Sequence, residues 1–223
     1  MKIKLLLSAF IKLALGFVIC MLLLFLPVGT FNYPNAWLFL GLLFIPMIGV
    51  GIILFVKSPE LLEKRMALRE KEKTQRGVIA ISGLIFIIGF IVTSLDFKYG
   101  WSNMTKIETV EASILFLFGY IMYMEVLREN KYLSRTVEVQ DNQEVIDTGL
   151  YAMVRHPMYL ATILMFLAMP LVLGSKIGLL VFIFYPFVIR KRIENEEAVL
   201  EKGLKGYSEY KKKVKYRLIP YVW

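Results

Sequence analysis

Residues 5–26 read LLLSAFIKLALGFVICMLLLFL, a run broken by one charge, Lys12. About 20 apolar residues in a helix cross the hydrocarbon core of a bilayer. The stretch therefore predicts a membrane-spanning helix. Its basic flank, Lys2 and Lys4, also suits a signal peptide. The apolar part is longer than the usual 7–15 residues of such a peptide, and no small-residue cleavage site follows. A retained span is the better reading.

Three further runs have a similar character: 36–56, 78–95 and 110–127. A fifth, 158–189, is interrupted near Gly174-Ser175 and predicts a hairpin of two helices, about 158–173 and 176–189, each short for a full span. The chain is 57% hydrophobic with a mean hydropathy of +0.61, above the roughly 45–50% apolar content of soluble domains. These patterns predict an all-α integral membrane protein of about four transmembrane helices plus a C-terminal hairpin. Residues 1–127 form the spans, with a charged loop at 57–77. Residues 128–223 hold the polar clusters. Within 57–77, Ser58-Pro59-Glu60 reads as a helix start, which predicts a helix lying along the membrane surface.

The net charge is +9, which invites a nucleic-acid reading, but the distribution argues against it. Of 27 Lys and Arg, 24 fall in alternate segments: 1–12, 57–77, 128–157 and 190–223. Only Lys98, Lys106 and Lys176 lie in the others. This is the positive-inside pattern. It predicts a multi-pass membrane protein with both termini in the cytoplasm and a basic face that holds anionic lipid headgroups. No nucleic acid and no obligatory protein partner are expected.

Several chemistries are poorly supported. One histidine, His156, and one distant cysteine, Cys20, give no metal-ligand set. Cys20 reads as a small apolar helix residue. Gly49-Val-Gly51 lacks the third glycine and the strand context of a dinucleotide fingerprint. There is no nucleophile elbow around Ser134 or Ser175. Glu111 and Glu125 sit near opposite ends of the fourth run. An acid in a span is a functional suspect, but snorkelling is a cheaper account here, and Glu125 can pair with Arg128 on one helical face.

The informative stretch is 149–159, GLYAMVRHPMY. The residue before a proline avoids the α region, and proline suits the first helical position. His156 is therefore expected to cap the first hairpin helix, with Pro157 following it. Such an N-terminus favours an anion, and Arg155 adds to that. Tyr151 and Tyr159 supply aromatic faces that attract cations. In the tail, Ile193, Glu197, Leu200 and Leu204 share one helical stripe, which turns Glu197 inward. An inward carboxylate needs a partner. Arg192 and Glu196 lie on the adjacent stripe, and Tyr207, Tyr210 and Val214 share a face further on. Each cluster alone has a plain structural reading, a helix cap or a solvated face. Together on one membrane face they predict a site with an anion pole, a carboxylate pole and aromatic walls. A zwitterion with a soft cationic centre fits it, and S-adenosylmethionine is such a molecule.

At these residues the chain resembles the isoprenylcysteine carboxyl methyltransferase family, which is related to the phospholipid methyltransferases. The resemblance rests on Gly149-Leu-Tyr151, Arg155-His-Pro-Met-Tyr159, Arg192-Ile-Glu-Asn-Glu-Glu197, Gly206-Tyr-Ser-Glu-Tyr210 and Arg217-Leu-Ile-Pro220. It covers residues 128–223, with the earlier helices matching only as generic spans. Leu150 stands where many relatives have proline. The resemblance implies an S-adenosylmethionine-dependent methyltransferase that releases S-adenosylhomocysteine. It implies cofactor binding by Gly149, Tyr151, Arg155, His156, Pro157, Tyr159, Glu196 and Glu197, with Arg192 and Glu197 catalytic. The expected acceptor is a lipophilic molecule carrying a carboxylate or thiol, such as an isoprenylcysteine, with Glu125, Tyr207 and Tyr210 as acceptor-side candidates. An aminolipid N-methyltransferase is the alternative, and it would need a base such as Glu125 or Glu197. A non-enzymatic transport or assembly module is the alternative of another class.

Overall fold

The computed structural model describes residues 2–66 and 73–223, with side chains described from Gln75 onward in the second segment. Nine α-helices and no strand occur among these residues. Helices α1 (Lys2–Val28), α2 (Pro34–Lys57), α4 (Lys73–Tyr99) and α5 (Lys106–Glu129) are long and apolar enough to cross a membrane. They correspond to the four long apolar runs of the sequence. Their outward faces carry exposed Leu6, Phe10, Ile45, Ile52, Leu84 and Ile114. Such a surface is costly in water and neutral in lipid. The protein is an all-helical integral membrane protein. Below, the face that carries the N-terminus and most Lys and Arg is called the basic face.

The short helix α3 (Pro59–Met66) lies on the basic face, with Pro59 as its first residue. The Lys12 ammonium of α1 donates to the Met66 carbonyl at its end (2.8 Å). The expectation of one surface helix across 57–77 is corrected in part. Residues 73–77 are the first turn of α4, because the helix of the apolar run extends back beyond Val78. Residues 67–72 lie outside the described residues.

The hairpin is α6 (Pro157–Val172), a turn at Gly174-Ser175, and then two helices, α7 (Lys176–Phe182) and α8 (Tyr185–Gly203). A single second arm was expected. Pro186, in the first turn of α8, has no N–H to give to the carbonyl of residue 182, so the helix breaks there and restarts. Phe182 fills the space at the break, edge-on to Phe86 (5.6 Å between centroids) and near Phe90 (6.0 Å). In lipid, such packing is a main source of helix association. Helices α5 and α6 pack tightly at Gly119. A Cβ there would lie 2.7 Å from Met165 Cγ and 3.0 Å from the Ala161 carbonyl.

A buried polar knot pins the hairpin turn at the face opposite the basic one. Asp96 accepts from the Ser102 amide (2.6 Å) and from the Ser102 and Ser175 hydroxyls (both 2.5 Å). Ser175 in turn caps α7 through the Gly178 amide (2.8 Å). Burying the carboxylate is tolerable because each donor compensates for lost water. The other end of α6 is thereby held at the basic face. There it meets the loop 130–148, the 3₁₀ turn Gly149–Ala152, α8 and the last helix, α9 (Tyr207–Lys213).

Candidate active site

Pro157 is the first residue of α6 and His156 its cap, with φ −128° and ψ 58°, as the sequence predicts. The backbone before the cap is pinned to the C-terminal segment. The Arg155 amide donates to the Tyr216 carbonyl (3.0 Å) and the His156 amide to the Arg217 carbonyl (2.9 Å). The Arg155 guanidinium then reaches the Val214 and Lys215 carbonyls (2.7 and 2.8 Å) and Oε1 of Glu197 (2.7 Å).

Glu197 is the hub of this arrangement. Its Oε1 also contacts His156 Nε2 (3.2 Å). Its Oε2 takes Nε (2.9 Å) and a terminal nitrogen (2.8 Å) of Arg217. Burial pushes the Glu197 carboxyl upward in pKa, but hydrogen bonds from His156, Arg217 and Arg155 outweigh it and hold it below the usual carboxylate range. Of the inward stripe expected at Ile193, Glu197, Leu200 and Leu204, Ile193 and Glu197 are buried on α8, Leu200 is half-buried, and Leu204 is buried just past the helix end. All the Glu197 lone pairs face protein donors, so it sits behind the site wall and orients Arg155 and His156.

The wall itself encloses a cleft of about 100 Å³ lined by residues including Tyr151, Arg155, His156, Tyr159, Glu196, Tyr207 and Tyr210. Glu196 turns the other way from Glu197 and accepts from the Tyr159 hydroxyl. That hydroxyl also accepts from Arg192 Nε (2.9 Å). Arg192 is held further by Gln75 Oε1 (3.0 Å) and the Arg135 carbonyl (2.7 Å). Gln75, fully buried, donates back to Asn195 Oδ1 (2.8 Å) and the Arg192 carbonyl (3.2 Å).

A second, larger cavity of about 510 Å³ runs among α2, α4, α5, α6 and α8, with walls that include Leu43, Met47, Phe86, Met165, Phe166 and Ile189. Ser134, Met158, Tyr159 and Arg192 line both cavities. A polar cleft on the basic face and an apolar cavity between the spans therefore abut at Tyr159 and Arg192.

The remaining candidates fall as follows. Gly149 has φ +53°, and a Cβ there would meet Glu129 Oε2 at 2.8 Å, so its contribution is the turn that sets Tyr151 against Asn130 (2.9 Å). Pro157 contributes the helix start. Tyr207 and Tyr210 line the cleft and not the second cavity. Tyr210 donates to the Tyr151 carbonyl (2.8 Å). The buried Tyr207 hydroxyl has no hydrogen-bond partner among the described residues. Burial, reinforced for Tyr207 by the negative Glu197 and Glu196, raises its pKa well above the ordinary phenol, so it remains a proton donor. Glu125 lines neither cavity and pairs with Arg128 at the surface (2.6 Å). Glu111 is exposed. No group of three metal-ligating side chains occurs among the described residues.

Sequence reasoning missed Gln75, which holds Arg192, and Arg65, which also lines the second cavity. Gln75 was legible as a lone amide one turn before an apolar run. Arg65 was one of seven basic residues in a loop and had nothing to single it out.

The fold and site define a polytopic helical membrane protein with a cleft on its basic face opening toward an intramembrane cavity. Comparison with known proteins shows what the chain is similar to. Residues 112–202 match the model of the isoprenylcysteine carboxyl methyltransferase (ICMT) family. The chain is 33% identical over 91 residues to mouse (Mus musculus) Delta(14)-sterol reductase TM7SF2, a match covering 40% of this chain and 22% of that protein. It thus spans about a fifth of that relative's length. Over 98% of this chain and 97% of the other, the fold aligns with the eukaryotic intramembrane Ras methyltransferase ICMT at a TM-score of 0.49 and 15% identity.

Proposed function

We propose that the protein is a membrane methyltransferase that uses S-adenosylmethionine to methylate a lipophilic acceptor bearing a carboxylate or thiolate. The observation that carries this reading is the abutment of the two cavities at Tyr159 and Arg192. Methyl transfer needs a polar donor and a greasy acceptor brought together in line, and rate comes mainly from that positioning.

The residues present suit the cofactor. Glu196 offers a carboxylate to an ammonium, and Arg155 and His156 stand by the α6 N-terminus for a carboxylate. Tyr151 and Tyr159 give aromatic faces to a sulfonium. The Tyr207 hydroxyl is a buried donor without a partner among the described residues, a condition a polar ligand would relieve. Bound there, the cofactor supplies an electrophilic methyl group. Arg192 lies on the shared wall, where a guanidinium can orient an acceptor carboxylate bidentately. Glu197, the other expected catalytic residue, holds the cleft wall in place.

Aminolipid N-methylation is the weaker alternative. An ammonium must lose a proton, and among the described residues no Asp or Glu lines the second cavity. The orientation follows from charge. With 24 of 27 basic residues in alternate segments of the sequence, the positive-inside pattern favours a cytoplasmic basic face, which would open the cleft to the aqueous side where a soluble cofactor resides. A prokaryotic plasma membrane suits this layout.

The test is tritium transfer from labelled S-adenosylmethionine to three acceptors: a small prenylated cysteine acid, a prenylated thiol and an aminolipid extract. Label in either of the first two supports the proposal. Label only in the aminolipid moves the function to the alternative. Binding of a reduced nicotinamide dinucleotide with no binding of S-adenosylhomocysteine would point instead to the reductase chemistry named for the sterol-reductase relative.

A further inference from the structure

The intramembrane cavity carries a cation outside the family motifs. Arg65, on α3, lines its wall together with Arg135 and Arg192. One terminal nitrogen of Arg65 donates to the Ser134 carbonyl (3.0 Å) and approaches the sulfur of Met158 (3.9 Å). The other donates to the Tyr123 hydroxyl. The guanidinium also lies 5.5 Å from the centroid of the Tyr123 ring. Every one of these partners is neutral. Arg192 reaches the neighbouring carbonyl, that of Arg135, from α8 (2.7 Å). Two guanidiniums from helices 127 positions apart in sequence thus grip consecutive carbonyls, 134 and 135, where the cleft meets the cavity.

A half-buried guanidinium beside a low-dielectric cavity, with only neutral acceptors among the described residues, favours an anionic partner. Tyr123, Ser134 and Met158 each line the cavity, so Arg65 sits where a head group would lie if an acyl or prenyl tail filled the space among Phe86, Met165 and Phe166. We infer that Arg65 is an acceptor-binding residue, pairing with an anionic group on the head of the lipophilic acceptor and acting with Arg192 as a two-arginine clamp. The inference rests on the proposal that the second cavity takes the acceptor. It selects acidic acceptors over neutral or cationic ones of the same tail, through the strength of charge-assisted hydrogen bonds.

The test is equilibrium binding to detergent-purified full-length protein, without turnover. The probes are a prenylated N-acetylcysteine and its carboxamide, which share tail and shape and differ in charge. Wild type should bind the acid at least about tenfold more tightly than the amide, the scale of a hydrogen bond to a charged group. Arg65→Gln should lose that preference while keeping amide affinity, and Arg65→Lys should keep part of it. Affinity for S-adenosylhomocysteine should be unchanged in both variants, which shows that the clasp on residue 134 has not collapsed the cleft. Equal affinities for acid and amide in wild type, or an undiminished preference in Arg65→Gln, overturn the inference. A preference that follows Arg65 in a protein that transfers no methyl group would uphold this residue's role and overturn the methyltransferase reading.

Discussion

Arg155 Nε lies 2.7 Å from Oε1 of Glu197, and the two side chains are 5% and 3% exposed. This buried pair joins the start of α6 to α8, and Arg217 extends it to the C-terminal segment. Glu197 and Glu196 are adjacent in sequence yet face opposite sides of one wall. Their substitutions should separate stability from binding.

Glu197→Gln should lower stability by about 3–5 kcal/mol, because Arg155 and Arg217 keep their charges and lose their counter-ion. Glu196→Gln leaves this hub untouched, so its melting temperature should stay near that of wild type while S-adenosylhomocysteine affinity falls. Thermal unfolding in detergent with calorimetric titration of each variant checks both. Equal melting temperatures for the two variants would contradict the division of roles.

The same hub predicts an acid dependence. Glu197 is held below its ordinary value in the folded protein, so its stabilising contribution is complete above the unfolded value, about 4.3. It is lost as the pH falls from there through the lowered folded value. The difference in melting temperature between wild type and Glu197→Gln should be constant from pH 7 to about 5 and shrink at lower pH. A difference that instead shrank toward alkaline pH would reverse the assignment.

Tyr207→Phe removes a hydroxyl that has no partner among the described residues. It should cost no stability and should weaken S-adenosylhomocysteine binding by about 0.5–1.5 kcal/mol, the net worth of one hydrogen bond. Tyr210→Phe is the contrast. It breaks the 2.8 Å bond to the Tyr151 carbonyl and should lower the melting temperature.

Gly119→Leu should separate α5 from α6. Besides the Met165 side chain, the contacts there are with backbone, the Ala161 carbonyl and the Met165 amide nitrogen, which cannot swing aside as a flexible side chain can. Loss of detergent-stable protein, measured by size-exclusion chromatography and thermal unfolding, is the expected outcome. Overpacking of this kind costs about 1–3 kcal/mol or more.

Much of the fold was legible because a bilayer makes length and apolarity decisive. Residues 5–26, 36–56, 78–95 and 110–127 each became one long helix. The break before Tyr185 was missed because Pro186 sits in an unbroken apolar run, where hydropathy gives no sign of a helix end. The inward turn of Glu197 was readable from the spacing of Ile193 and Leu204. Which of two adjacent glutamates faces the cleft was not, because that depends on Arg217, twenty residues on, folding back beneath α8. Arg65 and Gln75 act across long sequence separations, on Ser134 and Arg192, and local patterning carries no trace of such contacts.

The most direct test of the central claim is the melting temperature of the detergent-purified protein with and without S-adenosylhomocysteine. A ligand at a hundred times its dissociation constant stabilises by about 2.7 kcal/mol. A clear rise in wild type that disappears in Glu196→Gln and in His156→Ala is the predicted result. No rise in wild type, or the same rise in all three proteins, would contradict the assignment of this cleft as the cofactor site.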